Sequence, residues 1–288
     1  MNGASDVASL LHAGAQQIRE AGSDTPLLDS RVLLAHAIGV PVDSLYARYR
    51  DAISDRIART YAELISRRSA GEPVAYICGH VEFYGRTFRV DRRVLVPRPE
   101  TELLVEAAVR TARSLSPGKL LDACTGSGCV AITLKAELPE WDVAASDISV
   151  DALEVTRRNA TEILGEELTC LHASGIPVHD GPFTIITANP PYVPTDLCPR
   201  TQGRASPSDS PAWEPRIALD GGPAGTEVVD LIARGAYAAL IHGGWLLLEI
   251  GYDQGQRVTD LLAQIGFGSV SCEKDLAGLD RVVLGQKR

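Results

Sequence analysis

Beyond Lys119 the chain alternates short apolar runs with amphipathic stretches, and that alternation leaves few folds open. Residues 119–123, 143–146, 168–172, 183–188 and 245–250 read as strands, and helices fit between them at 129–138, 149–164 and 226–240. Strands separated by helices pair in parallel, because a parallel pair needs a crossover long enough to return the chain to the same edge. The expected result is an open α/β sheet with helices on both faces. The tail breaks the pattern. Residues 269–273 and 281–284 are joined by a short polar turn with no room for a crossover, so the last strand is expected to run antiparallel to its neighbour.

Upstream the period differs. Val7, Leu10, Leu11 and Ile18 recur at helical spacing, and Leu27, Leu28, Val32, Leu33 and Leu34 open a second helical element. Ser54 is placed to cap a third, in which Ile57, Tyr61, Leu64 and Ile65 share a stripe. Between Val81 and Val96 the period becomes two: Phe83, Phe88, Val90, Val94 and Val96 around a break at Gly85 suggest a β-hairpin. A helix with Leu103, Leu104, Ala107 and Ala108 inward follows Pro97-Arg98-Pro99-Glu100-Thr101. The expected division is therefore a helical domain over 1–75, a linker with a hairpin over 76–100, and an α/β domain over 101–288.

Charge narrows the partners. Residues 1–118 carry 15 basic and 14 acidic groups, whereas residues 119–288 carry 13 and 23. An acidic α/β domain is a poor non-specific binder of nucleic acid, so no direct nucleic-acid partner is expected. No apolar run approaches the ~20 residues that span a bilayer, and residues 1–11 hold Asp6 but no basic residue, unlike a secretory signal. The expected location is the cytoplasm, with no membrane partner. Cys78, Cys124, Cys129, Cys170, Cys198 and Cys272 include no C-x-x-C pair, so no metal site is expected.

Strand 119–123 runs into Asp122-Ala123-Cys124-Thr125-Gly126-Ser127-Gly128, at the start of a helix. Glycines at a strand-to-helix turn let the backbone approach a ligand closely. Asp147 follows Gly128 by 19 residues, at the end of the next strand, where a carboxylate can accept from both ribose hydroxyls of an adenosine. The spacing Gly126-x-Gly128-x-x-Ala131 also satisfies the dinucleotide fingerprint, so this loop alone does not separate NAD from S-adenosylmethionine. Asp122 shifts the balance, since it would repel a pyrophosphate and suits a cationic cofactor; the alternative is that it caps nearby backbone amides.

Strand 183–188 ends in Asn189-Pro190-Pro191-Tyr192, at the carboxyl edge where open sheets place their ligands. Two consecutive prolines fix the backbone and remove two donors. The Pro190 carbonyl and the Asn189 side-chain carbonyl are then two acceptors, matched to the two donors of a planar NH2 group, and Tyr192 adds a flat face.

Asn189-Pro-Pro-Tyr192 with Thr125-Gly-Ser-Gly128 resembles the amino-group methyltransferases that use S-adenosylmethionine. Four further stretches are similar to one branch: Glu72-Pro73-Val74-Ala75-Tyr76-Ile77 with Glu82-Phe83-Tyr84-Gly85, Val94-Leu95-Val96-Pro97-Arg98-Pro99-Glu100-Thr101-Glu102, Glu214-Pro215-Arg216-Ile217-Ala218-Leu219-Asp220-Gly221-Gly222, and Leu248-Glu249-Ile250-Gly251-Tyr252-Asp253-Gln254-Gly255. That branch is the HemK/PrmC family of protein-(glutamine-N5) methyltransferases acting on peptide chain release factors. The resemblance implies a seven-stranded Rossmann-like methyltransferase domain behind a small helical domain and a hairpin bridge. It implies S-adenosylmethionine as cofactor and, as partner, bacterial class I release factors, whose Gly-Gly-Gln glutamine is methylated on its side-chain amide.

Carried over by position, Cys124, Thr125, Gly126, Ser127 and Gly128 would line the methionine part of the cofactor and Asp147 would hold the ribose. Asn189, shared by cofactor and acceptor, would bind the amide with Pro190, Pro191 and Tyr192. The chain departs from the family pattern at Cys124, where glycine is usual. It also departs at Ser174 and Gly175 or Ile176 on the adenine side, at Thr184, and over 197–213. The alternatives are another acceptor (a different protein, a small amide or a DNA or RNA base) and, in another class, a non-catalytic nucleotide-binding or NAD-dependent protein.

Overall fold

A computed structural model describes residues 6–199 and 212–288. They form two compact units. One holds residues 6–80 with 199 and 212–214; the other holds 81–198 and 215–288. Most of the unusual stretch 197–213 lies outside the described residues.

The first unit is helical. Helix α1 (Val7–Glu20) begins in a capping box, with the Ser9 amide donating to the Asp6 carboxylate at 2.8 Å and the Asp6 amide to the Ser9 hydroxyl at 3.1 Å. Helix α2 (Pro26–Ile38) places proline in its first turn, where no donor is missed. Helix α3 (Asp55–Ser69) is capped by Ser54, and the short α4 (Val74–Cys78) ends at Gly79 in the left-handed region. Leu11, Ile18, Leu33, Leu34, Leu45, Tyr61 and Ile65 close the core. Buried within it, the Arg68 guanidinium meets the Asp29 carboxylate at 2.8 Å, and the Ser23 hydroxyl donates to the same carboxylate at 2.9 Å.

From Val81 the second unit opens on a hairpin whose first strand, β1 (His80–Phe83), starts one residue earlier; it pairs with β2 (Arg86–Arg89) and turns at Tyr84-Gly85, both with positive φ. The hairpin is shorter than the two-residue period suggested. Val90, Val94 and Val96 are buried but belong to no strand, because Asp91 folds the chain into a turn: its carbonyl accepts from the Val94 amide and its carboxylate from the Arg93 amide. Alternation reports burial on one side and does not by itself guarantee a ladder.

After α5 (Glu102–Ala112) the α/β pattern runs through β3 (Lys119–Ala123), α6 (Cys129–Glu137), β4 (Asp142–Asp147), α7 (Val150–Leu164), β5 (Thr169–His172), β6 (Phe183–Ala188), α8 (Glu227–Ala239), β7 (Leu240–Glu249), α9 (Gly255–Ile265), β8 (Phe267–Lys274) and β9 (Asp280–Lys287). The sheet order is β5-β4-β3-β6-β7-β9-β8. Strands β3 to β7 pair in parallel, and β9 runs antiparallel to both β7 and β8, as the short turn required. Helix α9 was not among the helices the spacing marked, although Val258 and Leu262 are its buried stripe; glycines at 255 and 266 bracket it and mask its ends. One core layer lies on the α5–α6 side of the sheet and a second on the α8–α9 side. Among the described residues no helix is long and apolar enough to cross a membrane.

Replacing Arg68 strands the Asp29 charge in the core of the first unit. Arg68→Met is expected to destabilise the chain by about 3–5 kcal/mol, read as a lower urea midpoint, with much of the loss recovered in the double variant Asp29→Leu/Arg68→Met.

Candidate active site

The reversal of direction between β3–β4 and β3–β6 opens a crevice at the carboxyl ends of these strands, the place where open sheets bind ligands. The loop from Cys124 to Gly128 is fixed there by α7. The Thr156 hydroxyl donates to the Gly126 carbonyl at 3.0 Å, and the Asn159 side-chain amide to the Ser127 carbonyl at 2.8 Å. Cys124, Gly126 and Gly128 all have positive φ. At Gly128 a Cβ would also press on Thr156 and Ile132 at 2.8 and 2.9 Å, so glycine is required twice over. Cys124 adopts the same left-handed region with a side chain, which packs on the α8–α9 core layer.

Asp147 closes the loop from the other side. Its two oxygens accept from the amides of Gly126 and Ser149, each at 2.9 Å. Each oxygen keeps a lone pair free for a further donor. Burial raises the Asp147 pKa, and the amide hydrogen bonds oppose that rise. Asp122 does not face the crevice as a free anion. It is 1% exposed, and its oxygens accept from the hydroxyls of Thr125 at 2.6 Å and Thr187 at 2.9 Å. Desolvation pushes its carboxyl up to about 7. It ties the glycine loop to β6 and borders the small cavity beside that loop.

The Asn189–Tyr192 segment is held as firmly. The Asn189 side-chain amide donates to the Thr101 hydroxyl at 3.2 Å, which leaves its carbonyl oxygen as an acceptor. Gln254, buried, donates to the main-chain carbonyls of Tyr192 at 3.0 Å and Gly225 at 3.1 Å while accepting from the Gly251 amide at 3.0 Å. Asp220-Gly221-Gly222 lies alongside: the Val193 amide donates to Leu219 and the Gly221 amide to Val193, both at 2.9 Å. A Cβ at Gly221 would come within 2.7 Å of the Pro191 carbonyl.

Two cavities meet here. The larger, about 530 Å³, is walled by Asp147, Ile148, Ser174, Gly175, Leu231 and the face of Pro191. The smaller, about 40 Å³, is bounded by Thr101, Thr125, Ser127 and Cys129. Cys124, Gly126 and Asn189 line both. Of the residues singled out from sequence, these three and Asp147, Thr125, Ser127 and Pro191 therefore converge. Gly128 shapes the loop without lining either cavity. Pro190 is buried and Tyr192 half-buried, and neither lines these two cavities. Of the two positions expected on the adenine side, Gly175 lies on the cavity, whereas Ile176 is packed in the core against Gly235.

Comparison with known proteins decides what crevice this is. Residues 9–79 match the family model for the PrmC N-terminal domain, and residues 99–197 match that for the methyltransferase small domain. The chain is 42% identical over 267 residues to the release factor glutamine methyltransferase of Neisseria gonorrhoeae, covering 92% of this chain and 94% of that one. It is 38% identical over 283 residues to the enzyme of the same name from Vibrio cholerae, covering 97% and 96%. The chain belongs to the release factor glutamine methyltransferase family.

Among solved structures the fold is that of the Thermus thermophilus 16S rRNA N2 G1207 methyltransferase in complex with AdoMet and guanosine. That likeness has a TM-score of 0.51 and 19% identity, and covers 73% of this chain and 50% of that one. Methyl transfer is the reaction of that family. The crevice offers a nucleoside a carboxylate at Asp147, apolar walls at Ile148, Val228 and Leu231, and small residues at Ala152, Ala173 and Gly175.

Thr101 and Gln254 sit inside motifs quoted from sequence, but nothing in their types or spacing announced that they hold Asn189 and Tyr192. Truncating Gln254 leaves three buried main-chain groups without partners. Gln254→Ala is expected to cost about 2–4 kcal/mol of stability, measured by urea unfolding, together with a loss of turnover. The buried carboxyl of Asp122 has a pH signature. Its pKa lies above the ordinary 3.8, at about 7, so between those values the unfolded chain gives up a proton that the folded chain keeps. Stability from this site is full at low pH and falls as pH rises through that window. Asp122→Asn is expected to flatten that fall in urea midpoints followed from pH 4 to pH 7.

Proposed function

We propose that this chain transfers a methyl group from S-adenosylmethionine to the side-chain amide nitrogen of the glutamine in the Gly-Gly-Gln loop of bacterial class I release factors. The family supports the acceptor protein. The geometry that supports the acceptor group is the orientation of Asn189: its Nδ2 is committed to Thr101, so its Oδ1 is offered to the wall shared by both cavities.

When bound, the cofactor supplies an electrophilic methyl on a sulfonium centre. In this reading Asp147 holds the ribose and the Cys124–Gly128 loop holds the methionine end. An amide nitrogen is a weak nucleophile because its lone pair is delocalised into the carbonyl. Asn189 Oδ1 and the Pro190 carbonyl would each accept one of its N–H bonds, turning the lone pair toward the sulfonium side and favouring the positive charge that grows on nitrogen. Tyr192 would pack on the amide plane. Alignment of this kind is worth up to ~7–11 kcal/mol of barrier. The Tyr192 hydroxyl is pushed up to about 12, by burial and by the nearby Glu249 charge, so it stays protonated and is no general base at neutral pH.

Mass spectrometry of a purified release factor, after incubation with this protein and S-adenosylmethionine, is expected to show one added methyl group on the Gly-Gly-Gln glutamine. An unmodified glutamine beside a modified residue elsewhere would overturn the acceptor. Asn189→Ala is expected to lower turnover at least about a hundredfold, as loss of a single transition-state hydrogen-bonding group does, with cofactor affinity by calorimetry nearly unchanged.

A further inference from the structure

Glu249 is a carboxylate that the mechanism above leaves unused. It ends β7, which is paired in parallel with β6 up to Ala188 and Leu248, so Glu249 stands beside Asn189 at the next register position. It is 1% exposed, and its Oε2 has no hydrogen-bond partner among the described residues. Thr101, which accepts from Asn189 Nδ2 at 3.2 Å, and Asn189 itself both lie near enough to the carboxyl to lower its pKa. A buried acid with an oxygen left unpaired costs stability, and such groups concentrate where function holds them.

We propose that Glu249 is a positioning residue for Asn189: its carboxylate takes the Thr101 hydroxyl proton, which obliges Thr101 to accept from Asn189 Nδ2 and so keeps Asn189 Oδ1 facing the acceptor nitrogen. The proposal rests on the assignment of Asn189 to the acceptor amide. Its logic is a count of protons. A side-chain amide can rotate to exchange its oxygen and nitrogen, and only its partners fix the choice. Thr101 has one proton to give. While Glu249 is ionised that proton goes to the carboxylate, and Thr101 faces Asn189 as an acceptor. Once Glu249 is protonated it becomes a donor to Thr101, whose own proton then turns to Asn189 and stabilises the inverted amide, which presents N–H where the acceptor needs a carbonyl.

Several groups surround Glu249. Arg281 on β9 lowers its pKa, and Glu100 in the turn before α5 raises it. The Tyr192 hydroxyl and the Cys129 thiol at the start of α6 also interact with its charge. Burial outweighs the rest and pushes the carboxyl up to about 7, so the relay switches within the physiological range.

The test uses the full chain, labelled with ¹⁵N-asparagine. Only Asn2, Asn159 and Asn189 contribute side-chain amide signals. In the wild type the Asn189 signal is expected to move with pH around a midpoint near 7, and in Glu249→Gln to stay fixed. In methyl transfer to release factor, wild-type kcat is expected to fall as pH drops through that midpoint. Glu249→Gln should lose that limb and about tenfold in kcat, with KM for S-adenosylmethionine within about twofold. Thr101→Val should lose about a hundredfold in kcat, with Thr101→Ser restoring most of it.

An Asn189 signal in the wild type that does not move between pH 5 and pH 9 would overturn the proposal, and this measurement needs no variant. Retention of the wild-type pH limb by a folded Glu249→Gln would overturn it too. A wild-type enzyme that shows the Asn189 titration but transfers no methyl to release factor would overturn the acceptor reading instead and uphold the relay.

Discussion

Residues in register across parallel strands point to the same side of the sheet, and the site depends on that geometry. Asp122 is the register partner of Thr187, and Thr187 of Leu247, so Asp122, Thr187 and, two residues past Leu247, Glu249 all share the face that carries Leu120, Ile185 and Leu247. Apolar residues fill the lower part of that face. Polar ones crowd its carboxyl edge, where the strands end and the loops begin. The edge is dry enough that both carboxyls rise to about 7; threonine hydroxyls steady Asp122, and at Glu249 the Arg281 charge opposes the rise without overcoming it.

Around that edge the loops are fixed by side chains that reach for main-chain carbonyls. Thr156 and Asn159 of α7 hold the glycine loop, Gln254 holds Tyr192 and Gly225, and Gly221 permits the close approach of its loop to Pro191. Asn159 also takes both the amide and the carbonyl of Arg89, so the hairpin and the glycine loop share one anchor. A methyl transfer to a weak nucleophile gains chiefly from alignment, and alignment is what such bracing protects. Binding energy put into a loose loop would be lost in ordering it.

Much of the fold was legible because local pattern and tertiary role agree. The expected strands 119–123 and 183–188 coincide with β3 and β6, and Ser54 caps α3. The misreadings share a cause. Val90, Val94 and Val96 alternate as a strand would, yet they are buried around a turn made by Asp91. Helix α9 is short, with glycine at its first position and just past its end, so propensity spoke against it while packing of Val258 and Leu262 formed it. Strand β7 begins at Leu240, directly after α8 and earlier than the apolar run at Trp245, because its first residues pair across an irregular register with β6.

The sequence by itself determined the class of the protein: an α/β order set by alternating periods, a glycine turn before a helix, an acidic residue one strand later, and a rigid Asn-Pro-Pro-Tyr exit. Those features are local, since each depends on a few neighbouring residues and on the conformations they allow. Which polar groups touch was decided only by the tertiary structure. Thr101 and Asn189 are 88 positions apart and Gln254 and Tyr192 are 62 apart. Nothing in their spacing joins them; strand register and the course of the loops do. Asp122 shows the difference most plainly. Its charge at the end of β3 suggested a partner for a cationic ligand; only the fold adds that it is buried against two hydroxyls, borders the small cavity and fastens the loop that lines the site.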